Sequence, residues 1–148
     1  MGKTRLGIVV SVVVVLLVSA IVGMVLYYNR QPYENITFVD VDHLSYSGRY
    51  HDNPSLSNWN WTLTLDLKNT GNMNASINNI IIDGKSYTDY SSTTINPSIE
   101  KGYNLSALQN VVITIQGTNT SAPPNFQTGK EILVITAMGN NYSYLLGS

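Results

Sequence analysis

The chain has 148 residues, a formal net charge of −1 and no cysteine, and only 11% of its residues are Asp, Glu, Lys or Arg. Without cysteine there is no disulfide framework, no thiolate metal site and no Cys nucleophile. Near-neutrality excludes a nucleic-acid binder that works through a basic patch. The first 28 residues are almost wholly apolar, and the remainder suffices for one domain with its own core but not for two.

From Leu6 to Leu26 the chain reads LGIVVSVVVVLLVSAIVGMVL, 21 residues without a charge. At 1.5 Å rise this predicts a helix of about 32 Å, close to the hydrocarbon thickness of a bilayer. The expectation is a hydrophobic, membrane-spanning helix over residues 8–28. Lys3 and Arg5 precede it, Tyr27 and Tyr28 follow at interface level, and the charge bias orients the C-terminal part outward. A cleaved secretory signal fits less well, because apolar residues continue past the small-residue site Val18-Ser19-Ala20. A helix apolar on every face has to be surrounded on every face. Ser19 and Gly23 form a small-xxx-small pair at which another helix can approach closely, although such pairs also arise by chance in apolar segments.

MGKTRLG followed by IVVSVVVVLLVSAIVGMV resembles the class III signal and core helix of archaeal type IV pilins and archaellins. The resemblance implies a basic leader over residues 1–7, cut by a prepilin peptidase between Gly7 and Ile8 with Arg5 as the nearest base. It also implies a membrane assembly platform and copies of the same chain as partners. Leu6 departs from the pattern, since a Lys or Arg is expected there.

Residues 29–35 (NRQPYEN) read as a polar hinge in which Pro32 stops the helix. Beyond it the period changes to two. Trp59 to Leu67 alternates strictly, with Trp59, Trp61, Leu63, Leu65 and Leu67 on one face and Asn60, Thr62, Thr64 and Asp66 on the other, which predicts a half-buried strand. Further strands are expected at Ile36–Leu44, Ile77–Ile82, Lys85–Tyr90, Asn110–Gln116, Glu131–Met138 and Tyr142–Leu146. Asn69-Thr70-Gly71 marks a turn, and Asp83-Gly84 between two strand-like runs suits a tight type I′ hairpin. The fold class is therefore mainly β, one N-terminal hydrophobic α-helix followed by an Ig-like antiparallel β-sandwich over residues 36–148. The run Leu67 to Gly71 with Ile77 to Gly84, and the closing Gly129 to Gly139, resemble the head domains of the same pilins. Membrane-anchored archaellum accessory proteins share this plan.

No catalytic constellation is visible: no G-x-S-x-G elbow, no H-E-x-x-H, no P-loop. The reading is of no enzyme, no cofactor and no resident metal. Asp40, Asp42, His43 and Asp52 offer oxygen and nitrogen ligands in principle, with His51 nearby, but at such low charge density a solvated edge-strand face and a polar loop explain them better. Six N-x-S/T sequons stand at Asn35, Asn60, Asn74, Asn104, Asn119 and Asn141. Asn60 falls on the outward side of its strand, and Asn74, Asn104, Asn119 and Asn141 are expected in loops, where acceptors are accessible. Among the ten tyrosines, Tyr46, Tyr50, Tyr87, Tyr90 and Tyr103 could present an outward binding surface, and periodicity does not choose between them.

The expected function is that of a structural subunit of an archaeal type IV pilus-like extracellular filament. Its helix would be inserted in the membrane before assembly and its head exposed at the cell surface for adhesion. The alternative is an uncleaved single-pass anchor whose sandwich binds another envelope component, such as a surface-layer protein.

Overall fold

A single long helix comes first because nothing in the leading segment breaks one. Helix α1 spans Gly2–Arg30, 29 residues without proline. Valine is a weak helix former, yet it dominates here, and between Leu6 and Leu26 only Ser11 and Ser19 carry polar side chains. The helix ends before Pro32, whose ring disfavours helical geometry at the residue ahead of it. Gln31 closes the last turn by donating its N–H to Tyr28 O at 3.3 Å. The computed structural model describes residues 2–50, 53–120 and 123–147. It divides into two compact units, Met1–Pro32 and Tyr33–Ser148.

Among the described residues, no helix is long and apolar enough to cross a membrane. This corrects the expectation of a transmembrane helix over residues 8–28, and with it the membrane-inserted localisation and the single-pass anchor. The described side chains of α1 begin at Val12.

The second unit is mainly β. Its strands are β1 (Ile36–Tyr50), β2 (Asn53–Asn69), β3 (Ala75–Ile82), β4 (Lys85–Ser86), β5 (Thr93–Asn96), β6 (Tyr103–Leu105), β7 (Asn110–Thr120), β8 (Glu131–Thr136) and β9 (Asn141–Leu145). One sheet has the order β1-β2-β7-β5; the other runs β4-β3-β8-β9, with β6 beside β3. Every pairing is antiparallel.

The alternation read in β2 becomes the core. Trp61, Leu63, Leu65 and Leu67 are each at most 1% exposed, and they join Ile113 and Ile115 of β7 and Ile77, Ile80, Ile132 and Val134 of the other sheet in one hydrophobic cluster. Burying each such side chain is worth roughly 1.5–3 kcal/mol. Two bulges reset the inward parity. In β1 the register shifts between Phe38 and Asp40, so Ile36 and Phe38 face inward before it and Val41 after it. In β3 it shifts between Ile77 and Asn79, moving burial from Ala75 and Ile77 to Ile80 and Ile82.

Asp83 (φ 48°) and Gly84 (φ 77°) both take positive φ in the two-residue loop that pairs Ile82 with Lys85. That combination is what a type I′ turn requires. The strand expected over Lys85–Tyr90 stops after Ser86. A capping box there, with Ser86 reaching Thr88 N and Asp89 reaching back to Ser86 N, winds Tyr87–Asp89 into a 3-10 turn. β5 and β6, at four and three residues, are too short to show a period and were not anticipated.

Candidate functional site

The surface of α1 is the first feature to account for. Every described side chain from Val12 to Tyr28 is exposed, including Leu16 at 64%, Val22 at 50% and Met24 at 65%. Ser19 and Gly23 lie one turn apart on this surface. A Cβ placed on Gly23 would meet nothing within 4 Å, so no packing within the chain requires glycine there. The helix runs unbroken through Gly7 and Ile8, whose side chains lie outside the described ones.

The second feature is the start of the β unit. Residues 33–35, read as hinge, are pinned to the turn after β2. Tyr33 N donates to Asn72 Oδ1 at 2.8 Å, while Asn72 N and Met73 N donate to Tyr33 O at 3.0 and 3.2 Å. Thr70 N donates to Asn35 O at 2.7 Å, and Asn35 Nδ2 to Thr70 Oγ1 at 2.7 Å. Gly71 permits this contact: a Cβ there would sit 2.8 Å from Asn35 N and 2.9 Å from Glu34 Cα. Beneath it lies Asn69, fully buried. Its Nδ2 donates to Met73 O (2.8 Å) and Leu105 O (3.1 Å), and its Oδ1 accepts from Gly71 N (3.0 Å) and Asn35 N (3.5 Å).

Glu34 turns inward and is only 7% exposed. Its Oε1 accepts from Thr136 Oγ1 and from Asn140 Nδ2, the latter at 2.8 Å, and its main-chain O accepts from Tyr142 Oη at 3.0 Å. Oε2 is buried with no hydrogen-bond partner among the described residues. Burial, followed by the charge of Glu34, raises the Tyr142 phenol above its ordinary value. Nothing local in the sequence marks Glu34, because its partners lie 102 and 106 residues away.

The sequons fall in different settings. Asn74 is exposed in the turn before β3, its Oδ1 accepting from Ala107 N at 3.3 Å. Asn35 is exposed with its amide held by Thr70, and Asn60 is half-buried in β2 opposite Tyr46. Asn104, Asn119 and Asn141, expected in loops, lie in β6, β7 and β9. Asn104 and Asn141 are exposed, and the side chain of Asn119 is outside those described.

Asp40 and Asp42 are exposed on β1, and the His43 ring packs on Phe126 at 4.9 Å. His51 and Asp52 lie outside the described residues. Among the described residues, no group of three or more His, Cys, Asp or Glu could hold a metal ion. Of the tyrosines singled out earlier, Tyr87 is buried, Tyr90 packs edge-on against Trp61, and Tyr46 is exposed. Burial raises the phenols of Tyr87 and Tyr90, with lesser contributions from Glu100 in the first case and from Asp83 and Asp89 in the second.

No family model matches this chain, and no curated protein matches it. The pilin and transmembrane descriptions are thus without support and are corrected. Among solved structures, a copper-bound PCuAC domain from PmoF2 is similar over 77% of this chain and 95% of its own, at 9% identity and a TM-score of 0.41.

Proposed function

We propose that the chain is a structural, non-catalytic subunit that assembles with copies of itself into a filament through α1. The observation that carries this reading is the unbroken exposure of the apolar helix from Val12 to Tyr28. Eleven Val, Leu, Ile and Met side chains there are each exposed by half or more. Covering them is worth on the order of 10 kcal/mol at about 1 kcal/mol for each half-exposed side chain. That is comparable to the roughly 4–15 kcal/mol cost of association. A dimer covers one face of such a helix, whereas a bundle of like helices covers all of them. Ser19 and Gly23 are the points of closest approach. The β unit, read as an Ig-like sandwich because two antiparallel sheets share one core, is displayed around the bundle.

The test is assembly of the full chain, followed by sedimentation and electron microscopy. Wild type is expected to form polymers, Gly23→Leu to shift or weaken them, and Val18→Lys to abolish them with the β unit's circular dichroism unchanged. A wild-type chain that stays monomeric, or a Val18→Lys chain that polymerises as well, overturns the reading.

A further inference from the structure

One edge strand from each sheet, β1 and β9, lies along an open seam. Thr37 and Phe38 of β1 and Asn141, Tyr142, Ser143 and Tyr144 of β9 line a groove of about 400 Å³ there, within the size range of small-molecule sites. Its floor is aromatic. Phe38 and Tyr144 meet at 5.4 Å between ring centroids, tilted by 40°, and Tyr142 is held by its bond to Glu34 O. All three rings are half-buried, so each keeps part of its surface in the groove, while Thr37, Asn141 and Ser143 are exposed on the rim.

Two candidate occupants fail on physical grounds. An added β-strand needs about 9.5 Å between its neighbours, two strand spacings, but β1 and β9 approach within 8 Å between Cα atoms. A charged ligand would find no counter-charge, because none of the lining residues is Asp, Glu, Lys, Arg or His. Burying an unpaired charge is costly.

We infer that this groove binds a neutral saccharide belonging to another molecule. A pyranose ring presents a C–H face that lies flat on aromatic rings and equatorial hydroxyls that bond to amide and hydroxyl groups on a rim. Rings already fixed by Glu34 and by each other lose little freedom on binding. The inference is independent of helix-driven assembly.

The full chain, produced without glycans so that Asn141 is bare, is examined by saturation-transfer NMR with maltotriose, cellotriose and N-acetylchitotriose. At least one is expected to receive saturation, concentrated in its ring C–H protons. Tyr144→Ala and the exposed Asn141→Ala are each expected to weaken that binding at least fivefold, and Tyr46→Ala to leave it unchanged. Silence from all three sugars, or transfer undiminished in Asn141→Ala, overturns the inference. A monomeric chain that binds sugar sinks only the assembly proposal; a filament that ignores sugar sinks only this one.

Discussion

Glu34 and Thr136, 102 residues apart, share a buried hydrogen bond in which the threonine hydroxyl donates to Oε1. With Asn140, it fastens the first residues of the β unit to the hairpin formed by its last two strands. Thr136→Val keeps the shape and removes the donor. The buried carboxyl then relies on Asn140 alone, and the expected loss is about 1–3 kcal/mol. Urea denaturation measures it directly, and a midpoint equal to wild type would show that the bond contributes nothing.

Gly71 sits where Asn35 N and Glu34 Cα leave no room for a side chain. Those neighbours are backbone atoms, so they cannot rotate aside. Gly71→Ala is therefore expected to cost about 1–3 kcal/mol by overpacking. The same change at Gly84, where a Cβ meets nothing within 4 Å but φ is +77°, acts through backbone strain alone at about 1–2 kcal/mol. Amide exchange separates the two: Gly71→Ala should release Thr70 N and Met73 N, and Gly84→Ala should not.

Asn69 satisfies its whole amide inside the protein. Asn69→Ala strands the carbonyls of Met73 and Leu105 and the N–H of Gly71 without partners. The expected cost is about 2–4 kcal/mol, above that of Thr136→Val. Thermal melts of the two variants side by side test the order.

The raised phenol of Tyr142, caused first by burial and then by Glu34, ties stability to alkaline pH. The unfolded chain loses this proton near the ordinary value of 10.0, and the folded chain loses it later. The contribution is present below pH 10 and disappears as pH rises through the folded value. Tyr142→Phe should lose about 1 kcal/mol at pH 7, where the bond to Glu34 O is gone, and decline less steeply than wild type above pH 10. Parallel pH profiles for the two proteins would refute the assignment.

Local sequence alone determined the helix up to Pro32 from its apolar run, the buried face of β2 from Trp61 to Leu67 from its alternation, and the Asp83-Gly84 turn from its residue pair, because each follows from neighbours within a few residues. Tertiary structure decided the rest. The bulges at Val39 and Asn78 reverse which residues face inward, and no local pattern announces them. Residues 33–35 read as a free hinge because their hydrogen-bond partners are supplied by a turn about 35 residues on and by the final hairpin. Likewise, the aromatic groove exists only where the first and last strands of the β unit meet. A carboxyl in a polar stretch looks solvated until the sheets close over it, since burial belongs to the packed fold and not to the residue.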